Sequence, residues 1–240
     1  MLQFADGATR LGDKAGFRFA ADVSAPWTPA DITNLVLFLQ YDAEHCSPAV
    51  AGTPVDSVSA SYGTSRTAAQ TLLLRPTFRA DGLEYDGAAL QYMNLSSSLA
   101  LAGAFTSYHV FNAPAGADCY ALGSVLGLAL AGLSGGSVTL LDDADTNATV
   151  GAGLSGLILV RLSRGAGNVT ISATGGNSTT SAFATFTFDC IGASVGNAAF
   201  SGSTDNRSLC DIIKTGDNTG TQENTDILAW ILATYGATLS

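Results

Sequence analysis

Strand-sized apolar or alternating runs recur along this chain about every ten residues, with clusters of Gly, Asn, Asp and Ser between them. Each such run can bury a sheet face but cannot cover itself, so the chain must stack two sheets or close a barrel. The densest case spans residues 74–90. Pro76 has no N–H and pushes Arg75 toward extended geometry, so a strand ends or lies on an edge there. Asp81-Gly82 and Asp86-Gly87 are turn dipeptides, and Leu83 and Tyr85 alternate between them as a half-buried strand requires. The stretch reads as the corner of a β-sandwich, with nothing catalytic in it.

The remaining runs agree with that reading. Leu35-Val36-Leu37-Phe38-Leu39 is a fully buried strand, and residues 90–95, 107–111, 157–162, 168–172, 183–191 and 209–214 are further strands. Residues 120–141 approach membrane-spanning length. However, Gly123, Gly127, Gly132, Gly135 and Gly136 interrupt them, and Asp118, Asp142 and Asp143 flank them, so a hairpin turning at Ser134-Gly135-Gly136 is expected. Two helices have start signals. Thr28 can cap a short one with Pro29 at its first position, and Thr221 can cap one over residues 222–235. In the second, Ile227, Trp230, Ile231 and Tyr235 form one apolar face, and Gly236 is the stop. The expected fold is all-β: a jelly-roll β-sandwich of two antiparallel sheets and roughly a dozen strands, with a short N-terminal helix and one C-terminal helix. No linker or repeat divides it, so residues 24–240 are read as one domain behind an N-terminal arm, residues 1–23.

Charge narrows the partners. Ten Lys and Arg stand against 20 Asp and Glu, a net charge of -10, so the surface repels phosphate backbones and nucleic acid is not an expected partner. The first residues hold no basic and apolar signal, so synthesis in the cytoplasm and no membrane partner are expected. The four cysteines (Cys46, Cys119, Cys190 and Cys210) form no C-x-x-C pair; free buried thiols are expected, a single Cys190–Cys210 disulfide being the alternative.

Catalytic constellations are sparse. The only glutamates, Glu44, Glu84 and Glu223, stand far apart in sequence, and Asp189 and Asp211 stand alone, so no strand offers paired carboxyls for glycoside hydrolysis. Asp142-Asp143-Ala144-Asp145-Thr146-Asn147 matches part of a calcium loop but lacks its glycine and its closing glutamate; a solvated loop is expected, a weak calcium site being the alternative. His45 and His109 are the only histidines, and His109, in a strand with no nucleophile motif, is expected to be packed or hydrogen-bonded. Arg75 and Arg79 are expected to pair with local carboxylates, anchoring of an acidic partner being the alternative.

In order along the chain, these segments resemble the concanavalin A-like lectin/glucanase superfamily, and within it the laminin-G-like jelly rolls of bacteriophage virion proteins. Trp27-x-Pro29 resembles the opening segment, Gln70 with Arg75-Pro76 the Q…R-P segment, Gly82 to Leu90 with Asp86-Gly87 the D-G corner, and Tyr235-Gly236 the end of the terminal helix. These residues (Trp27, Pro29, Gln70, Arg75, Pro76, Asp86, Gly87, Tyr235 and Gly236) carry the likeness as scaffold. The family's W-x-D-x-S-G is replaced here by Ser59-Ala60-Ser61-Tyr62-Gly63-Thr64. The E-x-D-x-E strand of the glycosidases on this fold is absent, so the chain is expected not to be an enzyme and to need no cofactor or metal. The resemblance implies a virion structural protein on the outer surface of the particle, a capsid decoration or head-fibre protein. Its partners would be the major capsid protein or neighbouring copies in a homo-oligomer. The alternative is a carbohydrate-binding module for host surface glycans, with Tyr62, Tyr92 and Tyr120 as candidate stacking residues.

Overall fold

The computed structural model describes residues 27–62, 64–70, 74–85, 91–116, 119–124, 130–144, 146–165, 167–192 and 206–240. In chain order the strands begin with β1 (Leu35–Gln40), β2 (Cys46–Ser47), β3 (Ser57–Val58), β4 (Ala68–Ala69), β5 (Thr77–Arg79) and β6 (Gly82–Tyr85). Next come β7 (Tyr92–Leu101), β8 (Phe105–Ala113), β9 (Cys119–Gly123), β10 (Leu130–Ser134), β11 (Ser137–Leu141) and β12 (Asn147–Val150). The last are β13 (Gly156–Arg164), β14 (Asn168–Ala173), β15 (Asn177–Ala182), β16 (Phe186–Gly192) and β17 (Asn206–Thr215), followed by helix α1 (Gln222–Tyr235).

Eight strands form one sheet in the order β15-β14-β13-β8-β17-β6-β5, with β1 also paired to β17, and nine form the other in the order β12-β11-β10-β9-β16-β7-β4-β3-β2. The pairings are antiparallel. The main core lies between the sheets, where Phe105, Phe111, Phe186 and Phe188 are buried together. A second cluster lies on the opposite face of the eight-stranded sheet, under α1: Phe38, Tyr108, Val110 and Ile212 meet Ile227 and Ile231. That sheet is therefore a middle layer buried on both faces, which is why burial in β1, β8 and β13 is nearly continuous instead of alternating, and why Leu35–Leu39 of β1 and Leu157–Val160 of β13 read as unbroken apolar runs.

The expected sandwich and both helices are present. The first helix is a single 3₁₀ turn, Pro29–Asp31, closed by Asp31 accepting a 2.8 Å bond from Thr28 N. Helix α1 has Thr221 Oγ1 accepting from Asn224 N at its start and Gly236 at φ 79 at its end, as its caps dictate. The Gly135-Gly136 turn, with φ 57 and 77, joins β10 and β11.

The strand number differs from expectation. Strands β2 to β5 are two or three residues long, too short for periodicity to register, and β15 (Asn-Ser-Thr-Thr-Ser-Ala) has no apolar face to announce it. The acidic loop after β11 also differs, because Asp142 is buried and not solvated. Its carboxylate accepts from Ala144 N and Thr146 N at 2.9 and 2.8 Å and from Ala184 N at 2.5 Å, while Asp143 accepts from Thr187 N and Oγ1. These oxygens tie the loop to the approach to β16, and Asp145 lies outside the described residues. Among the described residues no group of three or more His, Cys, Asp and Glu is placed to hold a metal. Cys46, Cys190 and Cys210 are free and buried, so the alternative disulfide is not formed. Among the described residues no helix is long and apolar enough to cross a membrane. The N-terminal arm, residues 1–23, lies outside the described residues, as do Asp86 and Gly87.

Candidate functional site

The described residues that carried the sequence resemblance serve the scaffold. Trp27 and Tyr235 are half-buried against the cluster under α1, Pro29 is buried at the start of the 3₁₀ turn, and Gly236 N donates to Leu232 O at 2.9 Å. Gln70, Arg75 and Pro76 converge on one loop: Gln70 N donates to Asp56 O, Val55 N to Pro76 O, and Arg75 ion-pairs with the Asp56 carboxylate. Arg79 pairs with Glu84 through two nitrogens, and Arg207 adds contacts to Glu84 and Asp81. Both sequence arginines thus meet local carboxylates.

The concave chemistry lies where β1 ends. Strand β1 runs apolar and buried to Leu39, then turns polar at Gln40-Tyr41-Asp42 as it leaves the sheet. Two adjoining pockets share Gln40 and Asp42. One, of about 260 Å³, is lined by these two with Glu44, His45 and Tyr62. The other, of about 390 Å³, adds Tyr41, Asp81, Leu209, Thr234 and Tyr235, so the β5–β6 turn and the end of α1 supply its far wall. Asp42 organises the loop after β1: its Oδ1 accepts from Glu44 N and His45 N and lies 2.7 Å from His45 Nδ1.

Tyr62 is the aromatic surface of this groove. It is 42% exposed and holds φ at 49, a left-handed conformation that a bulky residue adopts only when its surroundings impose it. One ring face stacks on Phe38 at 4.7 Å, and Phe38 meets Trp230 edge-on, which in turn meets Tyr235. A ladder of rings thus runs from the groove to α1. Partial burial, followed by the nearby Cys210, Asp42 and Glu44, raises the Tyr62 phenol, so it stays neutral. Of the other candidate stacking residues, Tyr92 is buried, and the side chain of Tyr120 lies outside the described residues.

Below the groove runs a buried polar chain. Tyr41 OH donates to Asp211 Oδ2, Asp211 Oδ1 is 2.6 Å from His109 Nδ1, and His109 Nε2 is 2.9 Å from Ser107 Oγ. Strand geometry dictates this: Ser107 and His109 share a face at a spacing of two, and Asp211 lies directly opposite His109 in the β8–β17 ladder. The connectivity is that of a serine nucleophile, base and orienting acid. Ser107 and His109, however, are 1% and 0% exposed, so in this conformation no substrate reaches the hydroxyl. His109 is packed and hydrogen-bonded, as expected; its serine neighbour was missed, although the S-x-H spacing alone puts the two side chains on one face. Tyr41 is pushed far up by burial and then by the Asp211 charge, so it remains a donor.

No protein-family model matches this chain, and no curated protein matches it. Solved structures do. A sialidase of Trypanosoma rangeli in complex with sialic acid is similar over 91% of this chain and 37% of its own, at 14% identity and a TM-score of 0.50. The same enzyme with 2,3-difluoro-KDN gives a TM-score of 0.53 at 12% identity, over 90% and 36%. A GH54 α-L-arabinofuranosidase is fainter, with a TM-score of 0.46 at 10% identity over 80% and 57%. The chain spans just over a third of the sialidase length. The shared feature is the fold. The comparison nevertheless corrects the expectation that the chain is not an enzyme: this sandwich occurs within sialidase chains, so the missing E-x-D-x-E strand is no ground for excluding catalysis.

Proposed function

We propose that this chain is a structural protein of a bacteriophage particle, displayed on the outer surface as a capsid decoration or head-fibre protein. The observation that carries the reading is the use made of the described segments that resemble laminin-G-like jelly rolls. Trp27 and Tyr235 share one cluster, Pro29 opens the first turn, Gly236 ends α1, and Gln70, Arg75 and Pro76 brace one loop. These contacts give the segments that carry the sequence resemblance a common role in bracing the sandwich, and that role supports the reading. The net charge of -10 suits an outward face and not one turned to packaged DNA. The partners would be the major capsid protein or neighbouring copies. Purified particles carrying this chain in fixed ratio to the shell protein support the reading; particles free of it overturn it.

A second reading, recognition of a host-surface glycan, is favoured by one observation: an exposed, neutral Tyr62 ring beside Gln40, Asp42 and Glu44 in a groove. An aromatic face packs against a pyranose ring, and carboxylates and amides accept its hydroxyls. Among the described residues the groove lining holds Asp42, Glu44 and Asp81 but no Lys or Arg, which disfavours sugars bearing a carboxylate. A glycan array tests this: saturable binding of neutral glycans, lost in Tyr62→Ala, supports it, and binding only of sialylated glycans or none at all overturns it.

A further inference from the structure

Two edges of the sheets, those of β1 and β5, are closed by the chain itself. The outer edge of β1 accepts bonds from Ser61 N and Thr64 Oγ1 at Phe38 O and from Arg66 at Val36 O. The edge of β5 is met by the loop before β3, with Phe78 N donating to Thr53 O and Gly52 N to Phe78 O. Strand β2 is only two residues long. Short strands, covering loops and charges are the usual means by which sheet edges are kept from pairing with other chains.

Strand β15 has none of these. It pairs with β14 in six consecutive steps without a register shift, and among the described residues nothing pairs with its other side. Half of its backbone N–H and C=O groups point that way. It contains no Pro, no Gly and no charged residue. Its sheet neighbour β14 is also free of Asp, Glu, Lys and Arg, and so is β12, the four-residue edge of the other sheet that runs beside it.

We propose that β15 is the contact through which two copies of this chain associate, their β15 strands pairing antiparallel about a two-fold axis. The charge pattern selects a second copy as the occupant. Two molecules of net charge -10 repel wherever their acidic surfaces meet, and this margin of the sandwich is built from uncharged strands. The strand is also self-complementary. Residues directly opposite in an antiparallel pair share a face, so an axis through Thr179 or Thr180 sets Ser and Thr against Ser, Thr, Asn or Ala while keeping the inward and outward faces aligned. Thr180 already bonds Thr170 across β14 at 3.0 Å, and the pairing extends that ladder. The isologous contact closes on itself, giving a dimer and not a filament.

Sedimentation velocity on the full chain tests this at roughly 100 μM, since a contact of one strand edge per copy lies at the small end of protein interfaces. The wild type is expected to sediment as a dimer. Ser178→Lys with Thr180→Lys, both exposed, is expected to sediment as a monomer with an unchanged melting temperature. Ser97→Lys on the exposed stretch of β7 adds the same charge elsewhere and is expected to leave the dimer intact. A monomeric wild type, including the case in which β15 takes up a foreign segment instead, overturns the proposal. So does a dimer that survives both β15 lysines.

Discussion

At the scale of single residues, the chain's few charges do structural work out of proportion to their number. Asp142 holds three backbone N–H groups from two loops, and the Ala184 peptide it binds is gripped from the other side by buried Arg164, which also bonds Leu101 O and Phe183 O. Asp142→Ala strands these donors and is expected to cost about 3 kcal/mol, read from the denaturant midpoint. Burial alone would raise the Asp142 carboxyl, but the N–H groups of Ala184, Thr146 and Ala144 more than offset it, so it lies below its ordinary value of 3.8. Glu223 is likewise lowered, burial being outweighed by Lys214 and Thr33, and Asp217 is lowered chiefly by Ser163. Each folded value is below the unfolded one, so their stabilisation is complete above about pH 5 and is lost as pH falls through the folded values. Stability measured between pH 7 and pH 2 should fall only in the acid range, and less steeply in Asp142→Asn. Gly192 sets a steric limit: at φ 87, a Cβ there would lie 2.3 Å from the Tyr85 ring. Gly192→Ala is expected to lose about 2 kcal/mol or more, because both backbone and ring must shift.

At the scale of elements, α1 is the piece that makes the eight-stranded sheet an interior layer. Ile231 is fully buried beneath it, and Ile231→Ala is expected to cost about 2–4 kcal/mol in equilibrium unfolding. This helix was legible in the sequence to its last residue, because the Thr221 cap, the apolar spacing and the Gly236 stop are all local signals. The long buried strands were legible for the same reason. Strands β2 to β5 were not: a two-residue strand exists only because its partner is placed beside it by distant parts of the chain. Strand β15 was missed because serine and threonine on both faces resemble a loop until β14 pairs with them. The groove was legible only in part. Tyr62 could be named, with Tyr92 and Tyr120, as a candidate stacking residue, but its convergence with Gln40, Asp42 and Asp81 depends on three separate segments meeting at the end of β1.

At the scale of the whole molecule, the parts form three layers: a nine-stranded sheet, an eight-stranded sheet and a helix with the chain's first turn beside it. The buried side chains between the layers are overwhelmingly apolar, with the Ser107–His109–Asp211–Tyr41 chain as a polar seam beneath the groove. Asp211→Ala would leave Tyr41 and His109 without their shared acceptor and is expected to cost about 3 kcal/mol in equilibrium unfolding. The groove at the end of β1 and the uncharged edge of β15 are built from different strands. For a structural protein of the particle's exterior, the most direct measurement is electron microscopy of intact phage labelled with gold-coupled antibody against the folded chain. Gold distributed over the outside of unbroken particles is the predicted result. Labelling that appears only after the particles are disrupted, or not at all, would contradict it.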